Sequence, residues 1–261
     1  MIKNNPIKTK LANKEEIFGI LNSVPSAQIT EMFAYAGYDF VILDTEHLLF
    51  SPETLAHAIS AAQSVNLCVF VRVPTACPVA IGRALDAGAQ GIVVARVSSL
   101  QAAQIAVAAC HYPPLGTRGI SGGKNTGFGT LPLSQYIRKA NQEIMLTLMI
   151  EDLEGLNALP EIVQLSGIDM ILEGALDLSL AMGHDVNFNH PEVQQSLVHM
   201  AELCLQSEIT FCAIPRLPGQ LSIWRQRGIH AFLAGEDRGV LFNALKNHLL
   251  DLKKNPDKKE N

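Results

Sequence analysis

The stretch Met145–Ser179, MLTLMIEDLEGLNALPEIVQLSGIDMILEGALDLS, decides how this chain is read. An apolar run, Met145 to Ile150, stops at Glu151 and Asp152. A helical segment follows. A second apolar run, Met170 to Leu172, stops at Glu173 and Gly174, with Asp177 just beyond. One strand–helix–strand unit therefore delivers carboxylates twice at the C-terminal end of a strand. Parallel α/β folds carry their chemistry at that end, and carboxylate oxygens bind hard cations. Glu151 and Asp177 are thus a candidate divalent-metal pair. The same acids also suit helix caps and first turns, where negative charge complements the helix dipole. On this stretch alone the two readings stand level.

The same alternation extends in both directions. Apolar runs at 17–21 (IFGIL), 39–43 (DFVIL), 67–73 (LCVFVRV), 91–95 (GIVVA), 209–214 (ITFCAI) and 231–234 (AFLA) read as strands. Short continuous apolar runs suit a sheet buried on both faces. Helices are expected between them, at 27–36, from Pro52 to about Ser64, through Ile81 and Leu85 to Gly88, and up to Cys110. Others are expected at 134–141, 155–165, from Pro191 to about Ser207, at 221–227 and at 240–252. Ser51-Pro52 is a strong helix start. Ser98 and Gln101 have capping-box spacing for the helix that ends near Cys110. A loop is expected from Gly174 past Gly183. Residues 112–133, rich in glycine and proline, are too long for an ordinary connection and read as a functional loop. About eight strands alternating with helices in some 250 residues predict a (β/α)8 TIM barrel. A doubly wound sheet is the rival, and it lacks its G-x-G-x-x-G after the first strand. The expected organisation is an arm with a short helix at 1–16, one barrel domain at 17–253 and a charged tail at 254–261.

Bulk properties narrow the function. The chain has 261 residues, 48% of them hydrophobic and 17% charged, with a net charge of −5. That balance supports a large core and argues against nucleic acid or an anionic membrane as partner. The five cysteines form no C-x-x-C pair and are odd in number, so free buried thiols in a reducing cytoplasm are expected. No apolar run reaches transmembrane length, and no leader pattern opens the chain. A cytoplasmic protein acting on small molecules is expected.

A barrel gathers its C-terminal strand ends on one rim. Asp44, Glu46 and His47, then Arg72, Arg96, Glu151 with Asp152, Glu173, Asp177, and Glu236 with Asp237 would converge there. Each has a plain structural explanation alone; together they match one chemistry. Glu151 and Asp177 would hold Mg²⁺, Mn²⁺ or Co²⁺. The ion would chelate a 2-oxoacid, and Arg72 would donate to the enolate oxygen as charge develops. His47 would shuttle a proton. The product is an enolate, and the reaction is aldol cleavage or condensation. No lysine ends an apolar strand, which disfavours Schiff-base chemistry. A barrel that only binds an oxoacid is the third possibility, and the intact set of His47, Arg72, Glu151 and Asp177 argues against it.

Five motifs, DTEH (44–47), VRVP (71–74), YPPLGTRG (112–119), MIEDLEG (149–155) and GALDLSLAMG (174–183), resemble in order those of the HpcH/HpaI aldolase/citrate lyase family. The resemblance runs from about Phe18 to Glu236. It implies a barrel of the phosphoenolpyruvate/pyruvate type and class II, metal-assisted aldol chemistry. It also implies a homo-oligomer, commonly a hexamer, with a C-terminal helix exchanged between neighbours. By position it implies His47 as the catalytic histidine, Arg72 as the enolate-stabilising arginine, and Glu151 and Asp177 as metal ligands. Backbone at Gly174 and Ala175 would receive the substrate carboxylate. Arg118 falls on a family position without an assigned role, and Asp44, Glu46 and Glu173 are possible additional site residues. Three departures stand out. Glu173 replaces an apolar residue, Ala95-Arg96 replaces a proline after the fourth strand, and GGKNTGFG (122–129) is unlike the usual aldolase loop. These resemble a siderophore-biosynthesis branch that makes citrate from oxaloacetate and acetyl-CoA, with Arg72 binding oxaloacetate.

Overall fold

The computed structural model describes residues 1–24 and 26–254. Eight strands pair in sequence order, all parallel: β1 Ile17–Asn22, β2 Phe40–Asp44, β3 Cys68–Val73, β4 Gly91–Val94, β5 Met145–Ile150, β6 Met170–Glu173, β7 Thr210–Ala213 and β8 Ala231–Glu236. β8 returns to β1, with Ala231 opposite Ile17, so the barrel is closed. The helices are α1 Pro6–Ala12, α2 Ala27–Tyr35, α3 Pro52–Ser64, α4 Pro78–Ala87, α5 Leu100–Cys110, α6 Leu133–Glu143, α7 Leu153–Ile162, α8 Ala175–Ala181, α9 Pro191–Gln206, α10 Gln220–Gln226 and α11 Asp237–Lys254.

Strand side chains alternate between two buried faces. Phe40, Ile42, Phe70, Val93, Met149, Met170, Leu172 and Leu233 fill the barrel. Val41, Leu43, Val69, Val71, Ile92, Leu148 and Ile171 pack outward beneath the helices. Both faces are apolar, which is why the strands read as unbroken hydrophobic runs. Two interior glycines are set by size. A Cβ on Gly19 would lie 2.1 Å from the Phe40 ring, and one on Gly91 would lie 2.3 Å from that of Phe70. The two rings meet edge to face at 5.5 Å and take the space the glycines leave.

The end of the barrel where strands begin is plugged. Asn5 caps α1, its Oδ1 accepting from Ile7 N at 3.0 Å, and Ile7 enters the interior cluster. The glycine-rich loop lies at this end too. Asn125 Nδ2 donates to Leu85 O at 2.6 Å, and Ile2 N donates to Asn125 O at 2.8 Å. The loop read from sequence as functional therefore braces the closed end and stays away from the rim.

Other local expectations change. The residue capping α5 is Ser99, which accepts from Ala102 N, and not Ser98. Ser98 instead donates to Asp152. The segment read as loop beyond Gly174 contains α8. α7 starts at Leu153, because Asp152 caps it by accepting from Gly155 N at 2.6 Å. The charged tail beyond Lys254 lies outside the described residues. All five cysteines are free, four of them buried and Cys77 half-buried. Among the described residues no helix is long and apolar enough to cross a membrane.

Helix α11 does not fold back onto its own barrel. Of its residues only Asp237 is buried, while Val240, Leu241, Phe242, Leu245, Leu249 and Leu250 are exposed. Asp237 anchors the helix start by accepting from Ser23 N at 2.8 Å and Asn22 Nδ2 at 2.7 Å.

Candidate active site

The rim is organised on Arg72. It sits at the end of β3, register-paired with Asp44 at the end of β2. Its Nε donates to Asp44 Oδ1 at 2.8 Å, and its Nη1 lies 3.3 Å from Glu46 Oε2. Burial pushes the Asp44 carboxyl upward. The hydrogen bond and charge of Arg72, with the Glu46 and His47 amides, outweigh that and hold it below the usual carboxylate range. Arg72 is thereby fixed at 6% exposure with its charge permanent. His47 stands at the mouth, its side chain 55% exposed and Nε2 3.6 Å from Glu46 Oε2.

Glu151 follows β5 and is buried. Its Oε1 accepts from Arg96 N at 2.7 Å. Burial raises its pKa to about 7; the Arg96 amide and the Arg72 charge oppose the rise, and the nearby Glu46 and Asp177 charges add to it. Asp177 lies in the first turn of α8. The Glu151–Asp152 pair thus splits: Asp152 is a helix cap, and Glu151 faces the rim. Gly174 makes this possible. A Cβ there would fall 2.4 Å from Glu151 Cβ and 2.7 Å from Glu151 Oε2.

Carboxylate oxygens are the ligand type of a hard cation, and Glu151 and Asp177 are the candidate pair. Glu151 and Asp177 repel one another across the site, and among the described residues Asp44 Oδ2 and Glu46 Oε2 are buried acceptors without a hydrogen-bond partner. A divalent ion relieves such repulsion. A cation of the chain also reaches the place. Arg96, in a left-handed conformation at φ 52°, brings Nε to 3.5 Å from Glu46 Oε1 and Nη2 to 3.8 Å from Asp177 Oδ1.

A cavity of about 480 Å³ opens on this rim, lined among others by His47, Arg72, Met149, Gly174, Asp177 and Arg216. Glu173 lies under its wall, only 1% exposed. Its Oε2 accepts from Ala175 N at 3.1 Å and its Oε1 from Ile214 N at 2.9 Å. Arg216 Nη1 reaches both oxygens, at 2.9 and 3.0 Å. The Ala175 amide, expected to receive a substrate carboxylate, is engaged by the protein's own side chain.

Arg118 is not part of the site. It is buried in the outer layer, where Nη2 donates to Asp86 Oδ1 at 2.8 Å and to Tyr136 Oη at 3.2 Å, and the guanidinium lies over the Tyr112 ring. Arg216 and Arg238, both lining the cavity, went unremarked in the sequence. As charged residues just past β7 and β8, they were within reach of the rule that selected Arg72. His184, His190 and Glu192 cluster elsewhere, but His184 Nε2 already bonds Glu192 at 2.7 Å. The two imidazoles stack at 3.5 Å, and a ring nitrogen of each lies with a Glu192 oxygen within 4.8 Å of one another.

A sequence profile of the HpcH/HpaI aldolase/citrate lyase family matches residues 20–244, most of the barrel and its whole rim. The chain belongs to this family. It is 36% identical over 199 residues to the 5-keto-4-deoxy-D-glucarate aldolase of Enterobacter sp. (strain 638), covering 76% of this chain and 77% of that one. Among solved structures it resembles the citrate synthase SbnG, at 35% identity and TM-score 0.89, over 97% of this chain and 99% of that one. The HpcH/HpaI aldolase from Desulfitobacterium hafniense DCB-2 superposes with the same TM-score of 0.89 at 25% identity, over 97% and 99% of the two chains. The family member described here thus has named relatives on both sides of the aldolase–citrate synthase division.

Proposed function

We propose that this enzyme makes or breaks a carbon–carbon bond through the enolate of a 2-oxoacid, by class II aldol chemistry. The observation that carries the reading is Arg72, locked by Asp44 and facing the same rim as Glu46, Glu151 and Asp177. Glu151 and Asp177 are the residues to hold Mg²⁺, Mn²⁺ or Co²⁺. A bound ion supplies Lewis-acid stabilisation of developing negative charge. Arg72 donates to the keto oxygen as it becomes an enolate, with no reorganisation at that moment. His47, exposed at the mouth, exchanges the proton with the departing or arriving carbonyl partner. With Mg²⁺ or Mn²⁺, purified protein should decarboxylate oxaloacetate or cleave a 4-hydroxy-2-oxoacid, and chelator should abolish this. Turnover untouched by chelator would refute the metal role.

A second reading is citrate synthesis from oxaloacetate and acetyl-CoA. Two observations favour it: Arg96 places positive charge between Glu46 and Asp177, and Glu173 engages the Ala175 amide. Thiol release from acetyl-CoA in the presence of oxaloacetate decides between the two.

The raised Glu151 pKa sets a pH dependence. Metal binding needs the carboxylate, so affinity should fall by about tenfold per pH unit below about 7, with proton release. Calorimetric Mn²⁺ titrations at pH 8 and pH 6 check this; equal affinities would refute it. For the metal-free fold the sign is the reverse. The folded pKa lies above the ordinary glutamate value of 4.5, so this group's stabilisation is complete below pH 4.5 and is lost as pH rises through about 7.

The protein is further proposed to be a homo-oligomer in which α11 covers a neighbouring copy. The exposed apolar face of this helix supports it. Replacing Phe242 and Leu245 together by aspartate should convert the assembly to monomer in light scattering. An unchanged mass would refute the exchange.

A further inference from the structure

We propose that Arg216 sets substrate class: its open guanidinium edge receives the second carboxylate of a dicarboxylic 2-oxoacid. This rests on the 2-oxoacid reading above and specifies which oxoacids fit.

Glu173 is the starting point. In β6, Met170 and Leu172 turn into the barrel and Ile171 turns toward the helices, so Glu173 follows Ile171 into the layer beneath α8. A carboxylate so deeply buried needs compensation. It receives two amides, Ala175 N and Ile214 N, and one cation, Arg216. Those bonds tie the β6–α8 turn to the segment after β7. They also fix the arginine. Arg216 Nη1 donates to both Glu173 oxygens and to Ile214 O at 3.0 Å, and its guanidinium carbon lies 5.5 Å from the centre of the Phe188 ring.

A pair that served only as a brace could end there. The remaining edge, Nε with Nη2, has no acceptor among the described residues, although the side chain is only 17% exposed and lines the cavity that holds Arg72, Gly174 and Asp177. Those two N–H groups lie side by side and match a carboxylate bidentately. The arginine is therefore held before substrate arrives. The keto-acid end of the substrate is taken by Arg72 and the carboxylate pair, so Arg216 is left for an anionic group at the far end. Arg238, which also lines the cavity, is already paired with Glu236. A monocarboxylic oxoacid offers the open edge of Arg216 nothing but water.

The test compares oxaloacetate with 2-oxobutyrate, which has the same chain length and lacks the distal carboxylate. Binding is measured by rapid mixing at saturating Mg²⁺, each affinity being taken from the signal amplitude before turnover accumulates. Arg216→Lys keeps a positive partner for Glu173 but removes the bidentate edge. The double variant Glu173→Gln/Arg216→Gln removes both charges while keeping the shapes. Wild type should bind oxaloacetate at least about tenfold more tightly than 2-oxobutyrate, as expected for a charge-assisted bidentate pair. Both variants should bring that ratio below about threefold through loss of oxaloacetate affinity, with 2-oxobutyrate affinity kept within about twofold. An equal fall for both ligands marks Arg216 as a brace and overturns the proposal, as does an unchanged ratio. Wild type that binds both ligands equally overturns this proposal alone. Wild type that binds neither overturns the oxoacid reading with it.

Discussion

Arg72→Ala should lower turnover on a 2-oxoacid by about 10²–10³-fold, the usual cost of removing one preorganised donor from a developing oxyanion. The same substitution should destabilise the fold. Asp44, 1% exposed, would keep a buried negative charge without its partner, and breaking a buried ion pair from one side costs about 3–5 kcal/mol. For a chain of this size that is a fall in melting temperature of about 10 °C. The two effects separate with a second variant. Arg72→Leu combined with Asp44→Asn removes the stranded charge and should recover much of the stability without recovering turnover. Activity per folded molecule, measured well below the melting transition, is the deciding quantity. Wild-type turnover in Arg72→Ala would remove Arg72 from the chemistry, and wild-type activity in the double variant would show that the loss was structural. The Asp44 carboxyl, held below its usual range, adds a pH signature. Its stabilisation is present above about 3.8 and is lost as pH falls through its depressed folded value.

The barrel was legible in the sequence because closure makes every strand central. β2 to β6 are buried on both faces, so each appears as a short apolar run with a polar end, and the polar ends fall on one rim whatever the helices do. The place of Arg72, Glu151 and Asp177 on that rim was legible for the same reason. What the pattern could not carry was the direction of a side chain past a strand end. Glu151 and Asp152 are adjacent, yet one faces the rim and the other caps α7. Ser98 and Ser99 differ in the same way: the hydroxyl of Ser99 caps α5 and that of Ser98 reaches Asp152. Arg118, in a family motif, is held by Asp86 and Tyr136 far from the rim, since a motif marks a family position without telling packing from chemistry. Glu173 stood out as a departure, but its meaning lay in a partner 43 residues away. A buried acid announces that it needs a cation; only the fold says which one. The apolar residues of α11 gave an ordinary helix signal, and the pattern could not tell that they stay exposed on this chain.

Gly174→Ala is expected to be the most damaging single-methyl change at the rim. The backbone there is not in the left-handed region, with φ at −124°, so conformational strain is not the cause. The methyl group would meet Glu151 Cβ at 2.4 Å, and Met149 Cε lies 3.1 Å away on another side. Met149 can rotate, but Glu151 Cβ is fixed to the backbone just past β5, next to a carbonyl that accepts from Gly174 N at 3.1 Å. Either the β5 and β6 ends separate or Glu151 turns off the Arg96 amide. Overpacking of this kind costs about 1–3 kcal/mol. The displacement of Glu151 should cost about 10²-fold in turnover, in line with a misplacement of about 1 Å at a reacting centre. Affinity for Mn²⁺ should fall as well, because the Glu151–Asp177 geometry is lost. Gly82→Ala is the matched control. Gly82 lies inside α4 with nothing within 4 Å of the added methyl. That change should stabilise the protein by about 0.5–1 kcal/mol through helix propensity and leave turnover unchanged. If Gly174→Ala behaves like Gly82→Ala, the glycine after β6 is not there to admit Glu151, and the close approach of the two strand ends is not what sets the proposed metal pair.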